Sequence, residues 1–214
     1  MRVDGTALTV HDPIAIAPGL IVAGVDEVGR GALFGPVVAA AVIIPAAAVT
    51  PLLEQGVTDS KKLSAKRRQD LSQTIQQLAT DCRIGYASVA EIDRLNILQA
   101  SLLAMKRAIA RLTVQPGLCL IDGNQRIPQL AIPQQTVVQG DQTSLAIAAA
   151  SIIAKVWRDQ LIDRLAYRYP AYDLAANKGY GTAKHRQAIA TYGITRYHRR
   201  SFAPCQGQQG ELPL

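Results

Sequence analysis

The sequence predicts a single α/β domain, a mixed β-sheet flanked by helices and closed by a small helical C-terminal extension. Three observations predict it. Short apolar runs bounded by turn residues alternate with longer stretches in which apolar residues recur every three or four positions. No internal repeat or linker divides the 214 residues. A hydrophobic content of 49% is enough for one good-sized core.

Taken in order, residues 1–20 read as an irregular lead-in, and IVAGV at 21–25 as a buried strand. VVAAAVII at 37–44, between Pro36 and Pro45, is a second strand. Residues 46–63 read as a loop ending in TDSKKL, and Ser64 caps a helix over 65–79 with Leu71, Ile75 and Leu78 on one face. A third strand covers 82–88. Ser88 and Glu91 then form a capping box that opens one long helix carrying Leu95, Leu98, Leu102, Met105, Ile109 and Leu112. LCLID at 118–122 and TVV at 136–138 are the fourth and fifth strands. An alanine-rich helix follows over 144–168, stopped at Tyr169-Pro170, and a shorter one covers 183–191. The domain reading is therefore a lead-in (1–20), an α/β core (21–170), a basic C-terminal extension (171–205) and a flexible tail (206–214).

The net charge of +7 favours an anionic partner. Its distribution is informative: from Asp173 to Glu211 there is no acid between, while Lys178, Lys184, Arg186, Arg196, Arg199 and Arg200 lie there with Tyr180, Tyr192, Tyr197 and Phe202 among them. Basic residues interleaved with aromatics suit a nucleic-acid backbone. Cys82, Cys119 and Cys205 are odd in number and lack CxxC spacing, which argues against a disulfide framework or a zinc site. Asp4, His11 and Asp12 precede any apolar run, so no signal peptide is read, and no apolar run approaches a membrane span. The expectation is a cytoplasmic protein.

Carboxylates at the ends of apolar strands need a reason, because an unpaired buried charge is costly. Asp26 follows IVAGV, Asp122 ends LCLID and Asp141 follows the short fifth strand. Any one of them could be a turn former, and Asp141 could cap a helix. Together they suggest convergence beyond the carboxyl ends of the strands, where α/β sheets place their ligands. Glu27 can join Asp26 only if the strand ends between them, a turn that Gly29 and Gly31 would permit. Four oxygen ligands without histidine or cysteine fit magnesium or manganese, and such an ion implies a phosphoryl substrate. The glycines form only GxGxxxG and are followed by Pro36 and a β-like run, against a dinucleotide site; no GxxxxGK[ST] occurs. Gly29-Arg30-Gly31 reads instead as exposed amides and one arginine over a phosphodiester or sugar. A junction-cutting nuclease, a non-catalytic nucleic-acid binder and a small-molecule phosphotransferase stay open at this point.

The chain resembles ribonuclease HII, the type 2 ribonuclease H family. The resemblance rests on GVDEVGRG at 24–31 with GP at 35–36, DSKKL at 59–63, CLIDG at 119–123 and GD at 140–141. AAASIIAKVWRD at 148–159, KGYGT at 178–182 and YHRRSFAP at 197–204 continue it in the expected order through almost all of the chain. It implies a ribonuclease H-like fold and cleavage of RNA in RNA–DNA hybrids. It also implies incision on the 5′ side of a single ribonucleotide in duplex DNA, leaving 5′-phosphate and 3′-hydroxyl ends. On this resemblance Asp26, Glu27, Asp122 and Asp141 hold two magnesium or manganese ions, with Asp26 shared. Gly29, Arg30 and Gly31 read the 2′-hydroxyl, and Tyr180 stacks on the following deoxyribose. Lys61, Ser151, Lys155 and Arg199 are further substrate contacts, and the loop with Lys61 and Lys62 faces substrate.

Three positions depart from the family pattern: Gln139 in place of lysine, GYGT in place of GYPT, which frees a torsion at Gly181, and the Gln-rich stretch 206–210. His11, His185 and His198 read as surface or structural, although His198 could touch a phosphate. Asp159 and Asp163 read as solvent-facing or paired with arginine, and Trp157 as packing material. Nothing demands more than a monomer.

Overall fold

The computed structural model describes residues 19–207. The first 18 residues of the lead-in, His11 among them, and all but the first two residues of the 206–214 tail lie outside them. Five strands form one sheet in the order β3-β2-β1-β4-β5. They are β1 (Val22–Val28), β2 (Val37–Ile43), β3 (Asp81–Ala87), β4 (Leu118–Asp122) and β5 (Gln134–Val137). β1, β2 and β3 pair antiparallel, whereas β4 lies parallel to β1 and β5 parallel to β4. The sheet is thus mixed, as its sequence pattern predicts.

Every residue of β2 is buried because helices cover both faces. Val37, Ala39, Ala41 and Ile43 face α3 (Val89–Leu95) and α4 (Ile97–Ala110). Val38, Ala40 and Val42 face α1 (Ala46–Glu54), α2 (Ala65–Leu78) and the 22-residue α6 (Leu145–Ala166). The alanines of β2 and α6 bring helix and sheet close. Gly24 does so most strictly, since a Cβ there would lie 2.1 Å from the Ala146 carbonyl carbon. This contact seats α6 on β1 two residues before Asp26.

Two expectations are corrected. The stretch 46–63 is not a loop: α1 occupies its first half and a 3₁₀ turn, Ser60–Lys62, its end. Pro51 lies inside α1 and costs it a backbone hydrogen bond, but Ala48 and Leu52, four apart, seat the helix in the core, and tertiary burial outweighs propensity. The long helix after Ser88 is two helices broken at Asn96, which adopts φ 73° and accepts a hydrogen bond from the Gln99 amide, so it ends α3 and caps α4. The periodicity continues across the break because both helices pack on the same core.

The capping box at Ser88 is present, and Glu91 Oε1 also meets Arg107 Nη2 at 2.7 Å. The Arg107 guanidinium, then the Ser88 donors, hold the Glu91 carboxyl down at about 2 against an ordinary 4.5. A lowered folded value contributes stability above the ordinary value, and that stability is lost as pH falls through the window from 4.5 towards 2. Glu91→Ala is expected to cost about 1–2 kcal/mol at neutral pH and to flatten this acid limb in denaturant titrations. An unchanged acid limb would contradict the assignment.

After β5 come α5 (Gly140–Thr143) and α6, then α7 (Leu174–Asn177) and α8 (Ala183–Tyr192). This last part has its own core, into which Leu33 and Phe34 of the loop after β1 are wedged beside Ile162, Tyr172 and Ile189. The loop carrying the glycines is thereby fastened to the C-terminal segment.

Candidate active site

β1 pairs with β4 only as far as Val25↔Ile121, while its antiparallel pairing with β2 continues to Val28↔Val38. A gap opens between the carboxyl ends of two adjacent parallel strands, the place where such sheets bind ligands. The strand does not end between Asp26 and Glu27, contrary to expectation. They reach the same cavity because β4 stops pairing with β1 there, which leaves that edge open to side chains from both faces.

The cavity has a volume of about 440 Å³ and is lined by Asp26, Glu27, Gly29, Arg30, Gly31, Lys61, Asp122, Ser151, Lys155 and Tyr180, together with Val28 and Ser60. Asp141 is buried and joins it through Lys61, whose Nζ lies 3.1 Å from Oδ2. Asp141 sits within α5 rather than at a cap, Gln139 being the residue before that helix. The Gly140 amide donates to Asp122 at 2.8 Å, which ties the two aspartates' elements together.

Electrostatics at this edge are unfavourable for the carboxylates alone. Burial, then the charges of Glu27 and Asp122, hold Asp26 well above the usual carboxylate range against the opposing Ser151 hydroxyl and Glu27 amide. Burial raises Glu27 as well, with Arg30 Nη1 at 3.2 Å opposing. Burial and then Asp141 raise Asp122. Burial opposes the charge on Lys61, but Asp141 outweighs it and holds the ammonium above its ordinary value. Among the described residues no three His, Cys, Asp or Glu side chains converge closely enough to hold a metal ion by themselves. An open set of carboxylates whose repulsion Arg30 and Lys61 relieve only in part fits a magnesium-type ion, which takes few protein ligands and fills its shell with water and phosphate oxygens.

Within the glycine loop the two glycines differ. Gly29 is buried with φ +90°, and a Cβ there would stand 2.2 Å from Arg158 Nε. Gly31 is exposed, and a Cβ there would meet nothing within 4 Å. The fold demands the first glycine; nothing in the protein demands the second.

Arg158 was not singled out by the sequence reading, yet it organises this region. Fully buried, it donates to the carbonyls of Pro36, Lys178 and Phe34 at 3.2, 2.9 and 2.9 Å, and its guanidinium stands 5.5 Å from the centre of the Tyr180 ring. A signal existed: Ser151, Lys155 and Arg158 are spaced by four and three and share one face of α6. Ser60, whose hydroxyl is 2.8 Å from that of Ser151, was likewise missed.

Arg199 is a correction. It is fully buried, donating to the Gly35 carbonyl at 3.0 Å and the Arg30 carbonyl at 2.8 Å, so it supports the glycine loop from behind and cannot itself meet substrate. Other expectations shift similarly. His198 is buried and cannot touch a phosphate. Asp159 and Asp163 pair with Lys155 and Lys178, not with arginine. Gly181 does not use a left-handed torsion; its lack of a side chain leaves room for Leu33, 3.0 Å from where a Cβ would stand. Trp157 is partly buried and stacks on Tyr86 with ring centres 6.2 Å apart.

The fold and the cavity at its parallel-strand edge define a protein of the ribonuclease H class. Over 87% of this chain and 95% of the other, it is similar to the ribonuclease H2 from Pyrococcus horikoshii OT3, with a TM-score of 0.73 and 26% identity. The PCNA:RNase HII complex from Archaeoglobus fulgidus matches with a TM-score of 0.71 and 28% identity over 84% of this chain and 94% of that one. The chain belongs to the ribonuclease HII family, whose model matches residues 23–205. The Ribonuclease HII of Acaryochloris marina (strain MBIC 11017) is 68% identical over 185 residues, which are 86% of this chain and 93% of that protein. The protein is accordingly a ribonuclease H, an endonuclease acting on the RNA of RNA–DNA hybrids.

Proposed function

We propose that the enzyme also incises duplex DNA on the 5′ side of a single embedded ribonucleotide, using Asp26, Glu27, Asp122 and Asp141 as metal ligands. The products carry 5′-phosphate and 3′-hydroxyl ends. The observation that supports this most is the single 440 Å³ cavity in which carboxylates, the Gly29–Gly31 loop and Tyr180 meet. Two magnesium or manganese ions, when bound, would supply Lewis-acid stabilisation of the attacking and leaving oxygens. Asp26, beside Glu27 on β1 and in hydrogen-bond reach of the Ser151 hydroxyl on α6, would be the shared ligand. Arg30 and the exposed Gly31 face the ribose, where a backbone amide can meet a 2′-hydroxyl that deoxyribose lacks. The Tyr180 ring offers a flat face for the next sugar, braced by Lys155 at 5.7 Å. Lys61 and Lys155 carry positive charge to the phosphate. Among the described residues no helix is long and apolar enough to cross a membrane.

The test is cleavage of a DNA duplex with one ribonucleotide beside an all-DNA duplex, with and without magnesium or manganese, followed by analysis of the new ends. Cutting of the first alone, only with metal, is expected; equal cutting of both, or none with either ion, refutes the reading. Tyr180→Ala should weaken this incision while the protein stays folded.

The basic run contributes less than its composition suggests. Lys178 pairs with Asp163 and Arg199 is buried, whereas Lys184 and Arg186 are exposed on α8. If both exposed residues meet phosphates, the double alanine variant should flatten the slope of log affinity against log salt by about 2. An unchanged slope removes α8 from the interface.

A further inference from the structure

Tyr180 is tied to the C-terminal segment by a chain of hydrogen bonds through two buried imidazoles, His185 at 0% and His198 at 1% exposure. The Thr195 amide donates to His198 Nδ1 at 3.0 Å, so that nitrogen is an acceptor. At the other end His185 Nδ1 lies 2.9 Å from the Tyr180 carbonyl, which can only accept, so that nitrogen carries a proton. The two Nε2 atoms are 3.1 Å apart. With both ends fixed by backbone groups, one neutral assignment remains: His198 is protonated on Nε2 and donates to the lone pair of His185 Nε2. Burial keeps both rings neutral, lowering His185 and bringing His198, with the added effect of His185, to about 3.

We propose that this tautomer-locked relay, Thr195 to His198 to His185 to Tyr180, makes the two histidines positioning residues that set where the Tyr180 ring stands relative to the Gly29–Gly31 loop. The proposal rests on the reading of Tyr180 as the residue that stacks on the sugar. Packing alone would be met by apolar rings of similar size; the imidazoles instead supply the acceptor that Thr195 needs and the donor that Tyr180 receives. The neighbouring Arg199 holds the carbonyls of Arg30 and Gly35, so adjacent residues of one segment hold the two halves of the recognition surface. Isolated bridges join the intervening loop to both sides, Ala32 with Tyr180 and Phe34 with His198. Cutting the relay leaves His185 Nε2 buried without a partner and its ring free to turn, so the Tyr180 carbonyl retains only the Thr182 amide.

The discriminating quantity is the ratio of kcat/KM on a single-ribonucleotide duplex to kcat/KM on a continuous RNA–DNA hybrid. His198→Asn keeps an acceptor for the Thr195 amide but cannot reach His185, whereas His198→Gln places an amide donor where Nε2 stands. With unchanged thermal midpoints, His198→Asn is expected to lower the ratio about tenfold or more, and His198→Gln to restore most of it. A normal ratio in His198→Asn, beside a reduced one in Tyr180→Ala, overturns the relay and leaves the stacking reading intact. A normal ratio in Tyr180→Ala removes the stacking reading, and the relay's role with it. Should His198→Asn not fold, imidazole ¹⁵N resonances of the unsubstituted enzyme decide: the Nδ1–H form of His185 with the Nε2–H form of His198 supports the relay, and reversed or doubly protonated rings overturn it.

Discussion

Asp26→Asn is expected to abolish cleavage, by roughly a thousandfold or more, while making the metal-free protein more stable by about 1–3 kcal/mol. The two effects have one origin. Asp26 is 6% exposed and lies beside Glu27 and Asp122; among the described residues the cavity's ion pairs join Arg30 to Glu27 and Lys61 to Asp141, and none reaches Asp26. Asparagine preserves the shape and can still accept the Glu27 amide, now 2.6 Å from Oδ1, but it removes a charge from a buried site. The pH dependence follows from a carboxyl held above its ordinary 3.8 by burial and then by its acidic neighbours. A raised folded value means the native state holds its proton longer than the unfolded chain, so stability declines as pH rises through the folded value. The variant and the parent should match below pH 3.8, where the group is protonated in both states, and diverge as pH rises. Saturating magnesium should reverse the order, stabilising the parent far more than the variant. Urea unfolding across pH, with and without metal, reads all three; equal stabilisation of both proteins by magnesium would show that Asp26 is not a ligand.

The carboxylate edge was legible because it violates a rule: apolar strands do not normally end in unpaired acids, and Asp26 and Asp122 did so twice. How Glu27 reaches the site was not legible. A turn after Asp26 was the only route visible along the chain, whereas the actual cause is the parting of β1 from β4, a relation between residues about a hundred positions apart. Arg199 shows the same limit from the opposite side. In a basic, aromatic-rich run it looked like a phosphate contact, but the run folds back on itself, and its arginine faces the carbonyls of Gly35 and Arg30. Charge composition reports an interface; only burial separates the residues that meet a ligand from those that hold the residues that do. Asn96 and Pro51 failed for a local reason. An asparagine in the left-handed region can end one helix and cap the next without disturbing periodicity, and a proline can remain in a helix whose burial compensates for it.

Gly29→Ala and Gly31→Ala are expected to fail in different ways, although the residues stand two apart in one loop. At position 29 a methyl group must displace Arg158 from 2.2 Å in a backbone conformation, φ +90°, that alanine resists. Moving Arg158 also strips a donor from the buried carbonyl of Phe34 and the partly buried carbonyls of Pro36 and Lys178. The expected loss is about 2–4 kcal/mol of stability, with cleavage of every substrate falling as the loop shifts. At position 31 the added methyl meets nothing within 4 Å and needs no unusual torsion. Stability should stay within about 1 kcal/mol of the parent, with alanine's smaller unfolded-state entropy favouring a slight gain. If the exposed face of Gly31 receives the ribose, incision at a single ribonucleotide should nonetheless fall about a hundredfold, because a methyl group holds the sugar off by roughly an ångström or more. A fully active Gly31→Ala enzyme would separate the loop from ribose recognition. The contrast is therefore diagnostic: a stable but inactive Gly31→Ala beside a destabilised Gly29→Ala assigns one glycine to the substrate and the other to Arg158.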